Sequence, residues 1–542
     1  MEEQEKRKTQ QTTSASLPIL SNIFENIKGE QAWNYNLNLA SLAASKIESC
    51  LGPKGAYKIV TYHRGPELVV KVTKDAADIV DELGVQYPAV KTIAEAAKIH
   101  RSQVGDGVST LLILVSALLT EAKKLIEKGI HPNAILDGYY NAAEKSVAII
   151  DEIATESDTN LDEMLLEIVD CGRNLLSSKL GGIISEAVSA VSEDEKTGGS
   201  IDLKKIRMVK KPGASSEDSE LLRGIIFRKG KAHPSMPDQI EAPRVAIVNK
   251  KLEIKPFELK MKGEGPFALR LNITNEKQLL MFKSEEKRLR AEVAEKVKSV
   301  GADVLICRSR IDERIAAQLS NEGILALQLV DQEDIDAAAK ATGARIVADT
   351  DLLSTEDLGI ARKIEVDRLP PDDIVILRCD KGTTLLLRGS SPELLQELEK
   401  IVRNAMLVLK HSRANSRVIP GAGAIFVQLA YKIRKYALTY PGREQFAMNS
   451  FSDALEKIPE CLARNYGLDT IDVMTELRSH HSNGEHSMGV GERGCIDARE
   501  ARLLELALIN KAAIRRALEL VSLMLRIDSY FYVKELPVFH RQ

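Results

Sequence analysis

Apolar residues recur at spacings of three and four along the first part of the chain, which is the period of an amphipathic helix. The pattern predicts helices over residues 37–50, 87–100, 109–128 and 133–154. A short extended hairpin is predicted at 58–72. The most apolar run, 111–119, is far shorter than the roughly 20 residues that a membrane span needs, and it therefore predicts a buried helix.

The pattern changes between residues 244 and 349, where short β-branched runs alternate with charged helical stretches. The predicted strands are 245–248, 304–307, 324–330 and 346–348, and the predicted helices are 276–300, 310–318 and 332–342. Strands joined through helices of this length pair through right-handed crossovers. We therefore expect a mainly parallel sheet in an α/β domain.

Helical periodicity returns in the last third of the chain. Residues 369–373 (Leu-Pro-Pro-Asp-Asp) predict a linker or turn, and two short strands are expected after it, at 374–378 and 384–387. Helices then begin at Pro392 and continue to about Ile527. The simplest explanation is an α/β domain inserted into a helical one whose two halves pack together, although the pattern itself does not show that the halves meet.

Composition narrows the class of protein. A chain of 542 residues corresponds to about three domains. Its 75 basic and 78 acidic residues are spread along the sequence and leave a net charge of −3, which argues against a dedicated binder of nucleic acid or of anionic membranes. Aromatic residues make up only 4% of the chain, so its cores must be built from Ala, Val, Ile and Leu.

The cysteines and the N-terminus bear on the cellular compartment. Six cysteines lie singly along the sequence, which predicts buried free thiols in a reducing cytosol. The polar residues 1–16 predict a disordered tail, and neither a signal peptide nor a transit helix. These features together predict a cytoplasmic protein.

Three glycine-containing loops lie beside predicted helices and are candidates for binding phosphate. They are residues 52–55 (Gly-Pro-Lys-Gly), 105–110 (Gly-Asp-Gly-Val-Ser-Thr) and 420–423 (Pro-Gly-Ala-Gly). Glycine lets backbone N–H groups approach an oxyanion, a helix N-terminus adds a favourable dipole, and a neighbouring Asp can hold Mg²⁺ through oxygen. Taken alone, each loop is explained better by an ordinary turn or helix cap.

A polar cluster at 479–486 contains three histidines and has two interpretations, a metal site or an ordinary loop. Because it lacks regular ligand spacing, we expect a loop without a metal.

Six motifs occur in the order and spacing of group II chaperonin subunits. They are Leu51-Gly-Pro-Lys-Gly55, Val72-Thr-Lys-Asp-Ala-Ala77, Val104-Gly-Asp-Gly107, Val418-Ile-Pro-Gly-Ala-Gly423, Asn465-Tyr-Gly-Leu-Asp-Thr-Ile-Asp472 and Leu525-Arg-Ile-Asp528. Two further stretches, 233–237 and 340–345, extend the similarity into the α/β part, so that it covers residues 19–531. The chain resembles an archaeal thermosome subunit or a eukaryotic cytosolic chaperonin subunit.

The resemblance implies a double ring of paralogous subunits that uses ATP to fold unfolded client proteins, without nucleic acid or membrane. It implies the multidomain α and α/β chaperonin fold, with a helical equatorial domain that binds ATP, a hinge-like intermediate domain and an inserted apical domain that binds clients. The implied ranges are 17–145 and 404–542 for the equatorial domain, 146–214 and 368–403 for the intermediate domain, and 215–367 for the apical domain.

By motif position, the resemblance also implies a site for ATP and Mg²⁺. Asp106 would hold Mg²⁺, and Asp75 would help to organise the attacking water. Lys179 corresponds to a lysine that senses the γ-phosphate, although a solvated helix lysine is an equal alternative. The residues implied to contact the phosphates or pass close to the nucleotide are Gly52, Pro53, Gly55, Gly107, Ser109, Thr110, Gly421 and Gly423.

Several positions depart from the family pattern around this site. Asn404 stands where the family carries the Asp that orients or deprotonates the attacking water, and an amide cannot accept that proton. Losing a general base typically lowers a rate about 10²- to 10⁴-fold. Lys74, Ala76, Val108 and Ala422 also replace family residues, so we expect ATP binding with weak hydrolysis.

Two further expectations concern assembly and the apical part. Residues 529–539 have strand character, and in the family such segments pair across subunits, although this segment could instead cover only its own domain. Residues 262–267 lengthen the region of the built-in lid. Asn275 is expected to cap the helix that follows. Residues 279–282 could face a client, but we expect them to pack in a core.

Three hypotheses about function remain open. The first is a divergent chaperonin subunit that hydrolyses ATP slowly or not at all within a mixed ring. The second is a fully active ATPase in which Asp75 positions the water, and the third is a structural scaffold that retains the fold without ring activity.

Overall fold

A computed structural model describes residues 24–28, 38, 41–43, 45–64, 67–84, 88–156, 161–170, 175–193, 201–250, 252, 276–368, 373–527 and 529–533. Several predictions fall outside these residues: the N-terminal tail, Cys171, the lid region 262–267, the cap at Asn275, the packing of side chains 279–282, and most of the linker 369–373.

Most helices predicted from periodicity are present. Residues 41–43 and 45–48 are helical. The longer helices, numbered in chain order, are α1 (Ala76–Gly84), α2 (Pro88–Val104), α3 (Val108–Glu127), α4 (Pro132–Ile153), α5 (Leu161–Asp170), α6 (Ser178–Glu193), α7 (Glu276–Val300), α8 (Glu313–Asn321), α9 (Gln332–Thr342), α10 (Pro392–Ala414), α11 (Ala424–Ala437), α12 (Glu444–Tyr466), α13 (Thr470–Ser482) and α14 (Ala507–Arg526).

The strands are mostly short. They are β1 (Phe24–Lys28), β2 (Lys58–Arg64), β3 (Glu67–Thr73), β4 (Thr155–Glu156), β5 (Ile206–Pro212), β6 (Glu220–Phe227), β7 (Gln239–Glu241), β8 (Arg244–Val248), β9 (Val304–Cys307), β10 (Leu325–Leu327), β11 (Ile346–Val347), β12 (Gly359–Ile360), β13 (Lys363–Asp367), β14 (Ile374–Gly389), β15 (Arg417–Pro420), β16 (Met488–Gly491), β17 (Gly494–Asp497), β18 (Leu504–Leu506) and β19 (Ser529–Val533).

The chain separates into two compact units. The first contains Met1–Arg173 and Leu407–Gln542, and the second contains Asn174–Met406. The two ends of the chain therefore fold together, which the sequence pattern could not show. Because the division gives two units and falls within α10, the boundaries of the three domains stay a prediction.

Helix α3 lies in the core of the first unit. Residues 111–119 are buried apart from Ala117, which confirms the buried helix that the apolar run predicts. The Tyr139 hydroxyl of α4 donates a hydrogen bond to the Leu118 carbonyl at 3.0 Å. Its ring packs edge-on against Phe451 of α12, with 5.6 Å between centroids, so that residues from both ends of the chain share one core.

Small sheets surround this helical core. Strands β2 and β3 form the antiparallel hairpin that the sequence predicts, from Lys58 opposite Thr73 to Arg64 opposite Glu67. Strand β15 pairs antiparallel with both β18 and β4. The strand expected after residue 528 is found as β19, and it pairs antiparallel with β1 of the same chain.

The second unit contains two larger sheets. In one, β10, β9, β8 and β11 are parallel neighbours and β12 adds to β8 antiparallel, which confirms the mainly parallel sheet. In the other, β14 pairs with β5, β6 and β13.

The prediction of two short strands at 374–378 and 384–387 is wrong, because they form the single strand β14. The pairing with β6 shifts register between Arg378 and Thr383, and Gly382 there has a φ of 94°. Glycine adopts this angle readily, so the chain bulges and then resumes pairing with the same neighbour.

Five cysteines lie among the described residues, and all are free thiols. Cys495 is partly buried, while Cys50, Cys307, Cys379 and Cys461 are buried, as predicted. Burial raises the pKa of the Cys379 thiol to about 11. None of the described helices combines the length and apolar character needed to cross a bilayer.

Candidate functional site

The first predicted phosphate loop, residues 52–55, is a tight turn closed by a hydrogen bond from the Gly55 N–H to the Gly52 carbonyl at 3.1 Å. Gly52 has a φ of 80°, and a β-carbon on it would lie 2.7 Å from Leu462 Cδ2. A residue other than glycine would therefore be strained and would collide with α12.

The second and third loops each lead into a helix whose first turn has no side-chain cap. Gly107 precedes α3 with a φ of 80°, and Gly423 precedes α11 with a φ of 78°. Ser109 and Thr110 lie in the first turn of α3, where backbone N–H groups have no acceptor within the helix. The positive end of the helix dipole adds to this attraction for an anion.

The first and third loops meet at Leu462 of α12. A β-carbon on Gly423 would lie 3.3 Å from Leu462 Cδ1, and one on Gly52 would contact the other methyl group of the same side chain. Glycines that are about 370 residues apart in sequence are therefore neighbours in space.

The second and third loops lie beside consecutive elements, the second against the start of α14 and the third against β18. A β-carbon on Gly107 would lie 2.7 Å from Ile509 Cγ2. The Gly421 N–H donates to the Leu503 carbonyl at 2.7 Å. A β-carbon on Gly421 would lie 3.0 Å from Glu505 Oε1. The three loops thus border one region of the first unit.

Asp106 lies in the second loop, and His100 of α2 supports its backbone. Burial, together with the charge of Arg516, lowers the pKa of His100 to about 4. The imidazole is therefore neutral at pH 7, and Nε2–H donates to the Asp106 carbonyl at 3.0 Å. His100 is buried, and this hydrogen bond holds the backbone of the second loop in place.

Glu505 is an acidic residue of this region that the sequence analysis missed. Removal from water, with a smaller contribution from the charge of Asp106, raises the pKa of Glu505 to about 7. Its Oε2 accepts a hydrogen bond from Asn510 Nδ2 at 2.6 Å. Antiparallel pairing places Glu505 opposite Ile419, just before the third loop, and no local motif signals this position.

Asp106 is the candidate carboxylate ligand for a Mg²⁺ ion that is bound along with phosphate, and its charge also acts on the second acidic side chain of the region, Glu505. Among the described residues, no group of three or more His, Cys, Asp or Glu side chains is arranged to hold a metal ion. Mg²⁺ is usually held by one or two carboxylates with phosphate oxygens and water rather than by an all-protein cage. The loops likewise offer a carboxylate beside a phosphate-binding surface, and the described residues form no all-protein cage there.

Both carboxylate oxygens of Asp75 have partners within the protein. Oδ1 caps the N-terminus of α1, accepting from the N–H groups of Ala77 at 2.9 Å and Asp78 at 3.2 Å. Oδ2 accepts from Arg101 Nη1 at 2.8 Å, and the same nitrogen lies 3.0 Å from Asp78 Oδ1. Arg101 was not identified from the sequence, because its role depends on the packing of α2 against α1.

Two of the family departures have different consequences for the backbone. Ala76 is the first residue of α1 and does not have a positive φ, so its β-carbon is accommodated without strain. Ala422 has a φ of 53°, in the left-handed region that favours glycine. Its carbonyl accepts from the Val490 N–H at 2.8 Å, which holds the strained loop in place.

Lys179 and Asn404 belong to the second unit. Lys179 is exposed, and its ammonium donates to the Glu217 carbonyl at 2.6 Å. Asn404 is partly buried on α10. The other predicted site residues all belong to the first unit: Gly52, Pro53, Gly55, Asp75, Asp106, Gly107, Ser109, Thr110, Gly421 and Gly423.

The loop predicted for the histidine cluster is present only at residues 483–486, because residues 479–482 form the last turn of α13. His481 is buried, its ring nitrogens lie 2.8 Å from Gln428 Oε1 and 2.8 Å from the Met488 carbonyl, and burial lowers its pKa. The hydrogen bond with Glu485 raises the pKa of His480. His481 therefore connects α13 to α11 and β16, whereas His480 pairs with a residue just beyond its own helix.

Comparison with known proteins agrees with the motifs. The family model described as the TCP-1/cpn60 chaperonin family matches residues 44–533. The chain is 35% identical over 507 residues to thermosome subunit alpha of Methanothermobacter thermautotrophicus, covering 92% of this chain and 91% of the relative. It is 34% identical over 528 residues to a thermosome subunit of Methanopyrus kandleri, covering 96% and 95%. Thermosome subunit beta of Thermoplasma acidophilum is 33% identical over 516 residues, covering 93% of each chain.

Proposed function

Since the chain belongs to the TCP-1/cpn60 chaperonin family as a group II chaperonin subunit, we propose that it binds Mg²⁺ and ATP at the three loops and hydrolyses ATP slowly. We further propose that it works in the cytoplasm, within a double ring of paralogous subunits that encloses unfolded proteins.

The observation that carries the proposal of ATP binding is the convergence of the three loops in the first unit. Two of them lead into uncapped helix N-termini, at Gly107 and Gly423, which offer backbone N–H groups and dipole charge to phosphate. Asp106 supplies an oxygen ligand for the accompanying cation. When bound, Mg²⁺ would neutralise phosphate charge.

The proposal of slow hydrolysis rests on the groups that could activate water. The amide of Asn404 cannot accept a proton. Asp75 is the alternative base, but one of its oxygens caps α1 and the other is paired with Arg101. Carboxylate oxygens engaged by these donors are less available to accept a hydrogen bond from an attacking water. This argues against the hypothesis of a fully active ATPase that relies on Asp75.

The proposal of ring assembly is supported by two small sheets. Strands β1 and β19 form a two-stranded sheet, and so do β2 and β3. Within the part of the chain that the structure describes, each of these strands has one edge without a partner strand, and a strand of a neighbouring subunit can pair with the N–H and C=O groups of such an edge. The hairpin also exposes Ile59, Val70 and Val72, which are 70%, 53% and 57% exposed. A scaffold without ring activity would not need these surfaces.

The test of the ATP proposal uses the purified full-length chain. Calorimetric titration with Mg²⁺-ATP measures binding, and phosphate release measures hydrolysis. We expect binding with slow turnover. Asn404→Asp should raise the rate by up to about 10²- to 10⁴-fold, while Asn404→Ser, which changes the same position without adding a carboxylate, should not.

Asp106→Ala should weaken the affinity for Mg²⁺-ATP. The proposal is contradicted if the wild-type chain hydrolyses ATP as fast as Asn404→Asp, or if Asp106→Ala binds nucleotide unchanged. Co-expression with intact paralogues, followed by native mass spectrometry, tests assembly. Stable rings made only of this chain that fold clients with ATP would contradict the mixed ring.

A further inference from the structure

Lys74 is a buried lysine whose ammonium lies against the first phosphate loop. Only 3% of the surface of Lys74 is exposed to solvent. Nζ donates to the Gly52 carbonyl at 2.8 Å and lies 3.4 Å from the Pro53 carbonyl. Lysine is rarely buried to this degree without a specific role for its charge.

The backbone on both sides of Lys74 is fixed, so the ammonium is held in place. Thr73 ends β3, and its Oγ1 accepts a hydrogen bond from the Asp75 N–H at 3.0 Å. Asp75 caps α1. A β-carbon on Gly55 would lie 2.8 Å from Lys74 Cε, so the aliphatic stem also packs directly against the loop.

Two physical effects follow for an anion at this loop. The C=O and N–H groups of a trans peptide point to opposite sides. Because Lys74 holds the Pro53 carbonyl, the N–H of Lys54 in the same peptide points away from the ammonium. The fixed positive charge also lowers the energy of an anion nearby, and by more in a partly buried site than in water.

We infer that Lys74 is a positioning residue of an anion-binding loop, which orients the Gly52 and Pro53 carbonyls and lets residues 52–55 bind the phosphates of a nucleoside diphosphate without a divalent cation. This inference rests on the proposed function, because it concerns the same nucleotide site. It adds that the subunit retains nucleotide when Mg²⁺ is absent.

The experiment measures ADP and inorganic pyrophosphate binding to the full-length chain by calorimetry, in EDTA and in excess Mg²⁺. Lys74→Met removes the charge and preserves most of the stem, and Lys74→Gln is a second neutral variant if the first folds poorly. Lys98→Met is the charge-matched control, because Lys98 forms an exposed pair with Asp81 at 2.6 Å.

The wild-type chain is expected to bind ADP in EDTA. Both neutral variants should bind it at least about tenfold more weakly there, with a smaller loss in Mg²⁺. Lys74→Arg should restore part of the affinity, and Lys98→Met should stay within about twofold of wild type. Wild-type affinity in EDTA should also fall with rising salt more steeply than that of Lys74→Met, a difference that a purely structural role would not produce.

Three results would overturn the inference. If the wild-type chain binds ADP only with Mg²⁺, or if Lys74→Met and Lys74→Gln bind it in EDTA as wild type does, Lys74 has no such role and the proposed function still stands. If the chain binds nucleotide neither with nor without Mg²⁺, the inference and the proposed function both fail.

Discussion

Arg101→Gln tests whether the guanidinium holds Asp75 in its present position. Arg101 contributes hydrogen bonds to Asp75 at 2.8 Å and to Asp78 at 3.0 Å, and its side chain is 23% exposed. Burial alone lowers the pKa of Arg101, but the two carboxylates outweigh that effect and the pKa is raised. The arginine is therefore bound more strongly by its partners than it is penalised by desolvation.

The expected loss in stability follows from what remains after the substitution. Removing one partner of a fully buried ion pair costs about 3 to 5 kcal/mol. Here the site is partly exposed, Asp78 retains Lys71 at 3.3 Å, and Asp75 retains its two N–H donors. We therefore expect the free energy of unfolding to fall by about 2 kcal/mol.

Urea unfolding followed by circular dichroism measures this change, and hydrogen exchange in α1 locates it. Arg464→Gln is the control, because Arg464 is 51% exposed in its pair with Glu48 and its loss should cost less than about 1 kcal/mol. A double-mutant cycle with Asp78→Asn separates the two ion pairs of Arg101.

The same substitution has a consequence for hydrolysis. With Arg101 removed, Oδ2 of Asp75 loses its guanidinium partner and becomes available to accept a hydrogen bond from the attacking water. Phosphate release should then rise in Arg101→Gln, and a folded variant with wild-type hydrolysis would contradict the idea that Arg101 restrains Asp75. Unchanged stability together with unchanged exchange in α1 would refute the structural part of the reasoning.

Three further predictions address the loops and the chain end. Ala422→Gly should relieve left-handed backbone strain of about 1 kcal/mol, although the greater entropy of the unfolded chain offsets part of this gain. Ala76→Gly in α1 should instead lower the free energy of unfolding by about 0.5 to 1 kcal/mol. Urea midpoints that shift in the same direction for both variants would contradict this contrast. Glu505 retains its proton up to about pH 7 in the folded chain but loses it near pH 4.5 when unfolded, so stability should fall as pH rises through that window. Glu505→Gln should then be more stable than wild type by about 2 kcal/mol at pH 8, whereas the two proteins should have nearly the same stability at pH 5. If the urea midpoints of variant and wild type are the same at both pH values, the pKa of Glu505 is not raised. Deleting residues from Ser529 onward removes β19 and its pairing with β1 but leaves helices α1 to α14 in the chain, so native mass spectrometry should find fewer rings while circular dichroism finds a folded monomer. Undiminished rings would mean that β19 has no part in assembly.

Local periodicity accounts for much of the fold. The apolar period in 109–128 predicts α3 to within one residue at each end, and the β-branched run at 304–307 coincides with β9. Both signals are local, since a helix or a strand must bury one face whatever its neighbours are. The three glycine-containing loops were also identified from sequence, and four of their glycines, Gly52, Gly105, Gly107 and Gly423, have the positive φ that glycine adopts readily.

Tertiary structure decided the features that depend on partners. Residues 374–378 and 384–387 became one strand because β6 pairs with both parts, and the pattern of either part alone does not contain that neighbour. Arg101 and Glu505 reached the site only through the packing of α2 against α1 and the pairing of β18 with β15. The sequence shows that residue 505 is a glutamate. Its pKa, however, depends on the removal of water and on the charges that surround it in the folded chain.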